Sequence, residues 1–82
     1  MSSSTDWETV KYEEVFEQEL RALQRRRDSD RSCTIADLES VLKNMYIMAG
    51  AEGMGEVAII GMAASIAAHE HFIAQWKQES TG

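Results

Sequence analysis

The sequence predicts an all-α fold, a three-helix antiparallel bundle-like protomer whose helices are long, short and long. No proline occurs among the 82 residues, and four of the five glycines cluster between Gly50 and Gly61, so the turn residues that an all-β chain needs are missing. Apolar side chains instead recur three and four residues apart in three segments. Hydrophobic residues at 44% and charged residues at 27% are typical of a globular domain. We expect a single domain over residues 1–82, with 1–4 and 80–82 disordered.

The first helix is expected over residues 5–27. Thr5 and Glu8 have the spacing of a capping box, in which both side chains bond to free backbone N–H groups at the start of a helix. Acidic residues crowd the first two thirds of this segment and arginines its end, as the helix dipole favours. Trp7 and Val10 point away from its apolar stripe. That stripe comprises Tyr12, Val15, Phe16, Leu20, Ala22 and Leu23.

The second helix is expected to begin after Thr34, its N-cap, with Asp37 completing a second capping box. Cys33 is placed to pack on Leu38 as a hydrophobic staple across this start. Gly50 is expected to end the helix in the left-handed conformation that favours glycine. The apolar stripe comprises Ile35, Leu38, Val41, Leu42, Met45 and Tyr46.

The third helix is expected over residues 56–78. Its segment 57–68 carries no charged side chain on any side, so the helix must be covered all round, by its own chain or by a partner. Helical spacing separates two apolar faces, which implies two neighbours. The small face comprises Val57, Gly61, Ala64 and Ala68. The large face comprises Ile59, Met62, Ile66, Ile73 and Trp76, with Phe72 at its edge.

These faces predict that the protomer is completed by homodimerisation through the third helix. The long helices, at about 33 and 35 Å, overreach the second, at about 21 Å, and Ile47 and Met48 lie on the outer side of the second helix. Leaving four such apolar side chains in water forgoes about 6–12 kcal/mol, comparable with the whole stability of a small domain. A two-fold axis across the third helix would cover them. The predicted interface residues are Val57, Ile59, Gly61, Met62, Ala64, Ile66, Ala68, Ile73 and Trp76.

Charge and cysteine content restrict the partners and the compartment. A net charge of −6 makes nucleic acid and anionic membranes unfavourable partners. A single cysteine, with no basic and apolar leader at the start of the chain, is typical of the reducing cytoplasm. The charge-free segment is shorter than the roughly 20 residues that span a bilayer, so we interpret it as core.

His69, Glu70 and His71 have the residue types of a zinc or iron site. Histidines two residues apart diverge by about 200° around a helix, so one chain does not bring both to one ion. A site on a dimer axis, with His71 and its symmetry mate, is the remaining metal hypothesis. A polar role at the rim of an interface is the simpler interpretation.

Other candidate sites have simpler structural interpretations. Gly50, Gly53 and Gly55 before a helix resemble a phosphate loop, but no strand precedes them and no lysine follows. Glu19 lies within the apolar stripe of the first helix, where it is either a buried general acid or base or a paired residue at a seam. Cys33 has no base placed beside it by the sequence.

An arginine-rich patch is the one dense basic feature of this acidic chain. Its residues are Arg21, Arg25, Arg26 and Arg27, with Arg31 nearby. The helix dipole accounts for part of it, and an acidic protein segment or RNA is the ligand class that it would fit.

The expected function is therefore a non-enzymatic helical interaction or structural module that acts as a homo-oligomer. The alternatives are an adaptor that uses the arginine patch and, more remotely, a metal-binding protein with its site between subunits. We expect no catalytic residues and no cofactor, because no convergent polar cluster is visible in the sequence.

Overall fold

Three α-helices make up the part of the chain that the structure describes. The computed structural model describes the backbone of residues 3–50 and 55–81 and the side chains of residues 7–50 and 55–80. The helices are α1 (Ser3–Ser29), α2 (Ile35–Ala49) and α3 (Glu56–Thr81), and these ranges contain no strand. The all-α prediction and the long, short, long order are confirmed. The helical backbone also includes residues 3–4 and 80–81.

The start of α1 differs from the prediction. The helix begins at Ser3, so Thr5 lies within its first turn and is not the N-cap. Ser3, Ser4 and Thr5 all precede Asp6 and Trp7, and each of them is a residue type that starts helices. Local capping preferences therefore did not distinguish them. The side chain of Thr5 lies outside the described residues.

Both ends of α2 can be compared with the sequence. The capping box is confirmed: Asp37 N–H donates to Thr34 Oγ1 at 3.2 Å, and Thr34 N–H donates to Asp37 Oδ2 at 3.1 Å. The left-handed ending at Gly50 is wrong, because this residue has φ −83° and ψ −3°, in the right-handed region. Its N–H donates to the carbonyl oxygen of Ile47, so the last turn tightens and ends without a reversal of handedness.

α3 lies between the other two helices. α1 runs parallel to α3, because Arg27 bonds to Glu79 near both C-termini while Glu8 bonds to Glu56 near both N-termini. α2 runs antiparallel to α3. Its Glu39 accepts a hydrogen bond from Lys77 at 2.9 Å, and the hydroxyl of Tyr46 donates to Glu70. The second contact is seven residues further along α2 and seven residues earlier in α3, as antiparallel helices require.

The two faces of α3 are covered by different helices of the same chain. α1 lies along the small face, where Ala64 and Ala68 have no exposed surface. α2 lies along the large face, where Ile73 is 5% exposed. The prediction of two apolar faces with two neighbours therefore describes packing within one protomer, and the structure does not show a dimer.

The hydrophobic core occupies one end of this arrangement. It forms where the end of α1, the start of α2 and the end of α3 meet beside the 30–34 turn. Leu38, at 1% exposed, is its best-covered large side chain. Its buried members are Leu23, Cys33, Leu38, Phe72 and Ile73, and half-buried Leu20, Ile35, Leu42 and Trp76 pack against them.

Cys33 is buried together with Leu38, as the predicted staple requires. A nearby contact closes the same end, where the guanidinium of Arg27 lies 4.3 Å from the centroid of the Trp76 ring and its nitrogens bond to Glu79 at 3.2 and 3.4 Å. Phe72 meets Trp76 edge to face. We name this region the packed end.

The hydropathy of α3 allows a second reading of the helix. Over Glu56–Ser80 it is long and apolar enough to cross a membrane, with a mean hydropathy of 1.5 in its most apolar window. We expected the charge-free segment 57–68 to be too short to span a bilayer. That expectation does not extend to the whole of α3. The core helix of a soluble protein meets the same criteria, and α3 is the helix that contacts both others here.

Candidate functional site

Exposed apolar side chains gather at the end opposite the packed end. They come from the starts of α1 and α3 and from the end of α2, which the packing places in the half of the molecule away from the packed end. We name this region the open end. Its large exposed members are Trp7, Val10, Tyr12, Tyr46, Ile47, Met48, Val57 and Ile59.

The length of α2 explains why this end is open. The contacts at Glu39 and Tyr46 set the register, which places Ala49, the last residue of α2, opposite Ala67. Residues 56–66 of α3 therefore extend beyond α2 by about 16 Å. Without α2 beside it, Ile59 on the large face is 54% exposed, and Val57, on the small face at the start of α3, is 54% exposed as well.

A small apolar hollow lies where α2 stops. Its volume is about 160 Å³, close to that of a cavity that holds one benzene molecule. No charged side chain is among the described residues that line it. Those residues are Ala49, Ile59, Met62, Ala63 and Ile66. Ile47 and Met48, 67% and 57% exposed, project from the neighbouring turn of α2.

The predicted interface residues fall into three groups. Ala64, Ala68 and Ile73 are buried within the protomer and offer no surface to a partner. Four are half-buried, namely Gly61, Met62, Ile66 and Trp76. Val57 and Ile59 are exposed at the open end.

Three large, exposed hydrophobic residues of α2 were not among the predicted interface residues. They are Tyr46, Ile47 and Met48. The signal for Ile47 and Met48 was present in the sequence, because both lie on the side of α2 away from its apolar stripe.

Glu19 lies at the seam between α1 and α3, half-buried, as its place in the apolar stripe predicts. The hydroxyl of Ser65 donates to Glu19 Oε1 at 3.0 Å. This carboxylate joins α1 to α3.

Ser65, His69 and Glu19 lie near one another at the seam, but their hydrogen bonds do not follow the Ser-His-acid sequence of a catalytic triad. His69 Nδ1 lies 2.8 Å from the backbone carbonyl oxygen of Ser65, so this nitrogen carries a proton and donates it. The Ser65 hydroxyl donates to Glu19 directly. A serine nucleophile needs an imidazole nitrogen that accepts its proton, and this arrangement does not provide one.

His69 and His71 occupy different environments. His69 is buried at 5% exposed, whereas His71 is exposed and lies against Phe16, with ring centroids 6.0 Å apart. Within residues 7–50 and 55–80, no group of three or more His, Cys, Asp or Glu side chains is placed to hold a metal ion.

The segment that resembles a phosphate loop is only partly described. Gly53 lies outside the described residues. At the start of α3, Glu56 hydrogen bonds to Glu8, and this bond is the main cause that raises the pKa of the Glu8 carboxyl, followed by desolvation and by the repulsion between the two charges. Two acidic side chains at this helix N-terminus oppose an anion.

The arginine patch is partly committed to contacts within the chain. Arg21 pairs with Glu17 at 3.4 Å, and Arg27 is held by Trp76 and Glu79. Arg25 and Arg26 are exposed. The patch therefore presents fewer available guanidinium groups than the sequence implies.

The arrangement thus offers apolar surface and a hollow at the open end, and a polar seam whose hydrogen bonds are internal. No protein-family model, no curated protein and no solved structure matches this chain. Function is consequently argued from the geometry.

Proposed function

We propose that this protein is a non-enzymatic helical interaction module that assembles with a second copy of itself through the open end. The observation that carries this proposal is the segregation of its surface. Its large exposed apolar side chains lie at one end, while its core lies at the other. Exposed apolar patches of this kind mark interaction sites in soluble proteins.

Shape supports a second copy as the occupant. A two-fold interface places the same surface on both sides, so a self-complementary patch needs projections as well as hollows. The open end has both, in the projecting Ile47 and Met48 and in the hollow beside Ala49. An aliphatic side chain is of the size that the hollow accepts.

Energy supports the same occupant. Five side chains of α2 and α3 remain 48–67% exposed at this end, and fully burying an exposed Ile, Val or Met stabilises by about 1.5–3 kcal/mol per side chain. Covering half of each contributes about 4–7 kcal/mol before the entropy cost of association. The five are Tyr46, Ile47, Met48, Val57 and Ile59.

The polar side chains at the seam between α1 and α3 support a non-enzymatic role, because their hydrogen bonds are internal. The Ser65 hydroxyl donates to Glu19 and joins α3 to α1, and His69 bonds to the backbone carbonyl of Ser65 within α3. The apolar hollow beside Ala49 has a volume of about 160 Å³, below the roughly 300–1,000 Å³ of small-molecule sites. A free, buried Cys33 fits a role in the reducing cytoplasm, which we take as the working location.

Light scattering coupled to size exclusion tests this proposal. The wild type is expected to run as a dimer that dissociates on dilution. Ile47→Glu, which places a charge on the exposed outer side of α2, is expected to run as a monomer with unchanged helix content by circular dichroism. Ala36→Glu is the matched control, because Ala36 is exposed on the same side of α2 about three turns away, at the packed end.

Ile59→Glu gives a second, independent readout from α3. Dissociation by both open-end variants and not by Ala36→Glu would support the proposal. A wild type that stays monomeric at high concentration, or a dimer that all three variants leave intact, would overturn it.

A further inference from the structure

A groove lined by aromatic rings runs along the flank of α1, separate from the hollow at the end of α2. It consists of two adjoining hollows of about 370 and 410 Å³. The first is lined by Tyr12, Glu13, Phe16 and Glu17. The second is lined by Glu8, Thr9, Tyr12, Glu13 and Ile60.

Tyr12 and Phe16 give the groove flat apolar walls. Their rings are nearly parallel, with an interplanar angle of 11° and centroids 6.4 Å apart. His71 of α3 lies against Phe16, with the ring planes tilted by 51° and the centroids 6.0 Å apart. Tyr12 is shared by both hollows and remains 37% exposed.

The charged groups that line the groove are all acidic. The charged residues among the described lining are Glu8, Glu13 and Glu17. Glu56, at the start of α3, hydrogen bonds to Glu8. Glu17 has a cationic partner within the chain, Arg21, at 3.4 Å. Both members of that pair are well exposed, so the pair is weak and exchangeable.

We infer that this groove binds an arginine-containing peptide segment, with guanidinium groups that stack on Tyr12 and Phe16 and bond to the flanking carboxylates. An aromatic ring attracts a cation to its face, and a planar guanidinium can stack there while its N–H groups bond to a carboxylate. Lysine offers a compact charge with no flat surface, so it fits these walls less well. The net charge of −6 draws such a cationic segment toward the protein.

The separation of the two rings defines the spacing of the ligand. The centroids of Tyr12 and Phe16 are 6.4 Å apart. An extended peptide covers that distance in about two residues. The fitting segment therefore carries two arginines two residues apart.

Fluorescence anisotropy with labelled peptides tests this inference on the full chain. The probe is a Gly/Ser peptide with two arginines two residues apart, and the comparison peptides carry two lysines or two glutamines at those positions. We expect binding in the order arginine, lysine, glutamine, weakened by salt. Tyr12→Leu, which keeps an apolar wall but removes the ring, is expected to raise the Kd of the arginine peptide about two- to fivefold.

Glu13→Gln and Glu14→Gln form a matched pair. They are adjacent on α1 and change the net charge equally, but Glu13 lines both hollows whereas Glu14 lies on the outer side of the helix. Weaker binding by Glu13→Gln than by Glu14→Gln supports the groove. Equal losses, equal affinity for arginine and lysine peptides, or no binding at low salt would overturn it. Because Tyr12 also belongs to the open end, binding is measured on diluted protein that light scattering shows to be monomeric, where a failure of the groove is distinguishable from a failure of the proposed assembly.

Discussion

Replacing Leu38 or Ile47 by alanine tests the division into a packed end and an open end. The two residues lie on the same helix, α2, but Leu38 is 1% exposed and Ile47 is 67% exposed. Truncating a buried leucine costs about 2.7–5 kcal/mol, because transfer energy and cavity terms add. For Ile47 about a third of a side-chain burial of about 1.5–3 kcal/mol is lost, or about 0.5–1 kcal/mol. The higher helix propensity of alanine offsets part of that loss.

Urea denaturation followed by far-UV circular dichroism measures both changes. At low protein concentration we expect Leu38→Ala to lower the free energy of unfolding by about 3–5 kcal/mol and Ile47→Ala by less than about 1 kcal/mol. At high concentration the cost of Ile47→Ala should rise, because assembly stabilises the wild type by mass action. Equal losses for the two variants at low concentration would refute the division of the molecule into two ends.

Two further substitutions test single positions, one in α3 and one in α2. Gly61→Ala is expected to raise the free energy of unfolding by about 0.5–1 kcal/mol in thermal or urea denaturation, because a Cβ at this position meets nothing within 4 Å and alanine favours a helix interior. A lower free energy of unfolding would mean that a neighbour approaches this position closely. The hydrogen bond from Tyr46 to Glu70 raises the pKa of the Tyr46 hydroxyl above its usual 10.0. The stabilisation from this hydrogen bond is therefore present below about pH 10 and is lost as pH rises through the folded-state pKa of Tyr46. Tyr46→Phe should be less stable than wild type at pH 7, and the difference should shrink above about pH 10.

Local signals determined the helix ends that the sequence predicted correctly. Thr34 and Asp37 bond within four residues of each other, so the capping box needs no information about the rest of the chain. Gly50 was assigned to the right position but to the wrong conformation, because glycine permits a left-handed ending without requiring it. The start of α1 was misplaced where several serine and threonine residues compete for the cap.

Helical periodicity identified both faces of α3 but not the elements that cover them. Ala64 on the small face and Ile73 on the large face were assigned to an interface between copies, and both are buried within one protomer. Periodicity shows that a face needs a neighbour and cannot distinguish a helix of the same chain from one of another chain. The same limit applies to Glu19, whose position at a seam was predictable. Its partner Ser65 depends on the offset between two parallel helices, which no local pattern encodes.

Helix lengths connect the packed end to the proposed assembly. α1 and α3 are about 40 and 39 Å long and lie parallel, whereas α2 is about 22 Å long and begins beside the end of α3. An antiparallel helix of that length covers little more than half of its neighbour, so burial decreases from the 30–34 turn toward the open end. Extending α2 by about three turns would be needed to cover residues 56–66 within one chain. Because the uncovered surface belongs to Val57, Ile59 and the hollow beside them, a helix end from a second copy, carrying Ile47 and Met48, supplies the kind of side chain that is missing.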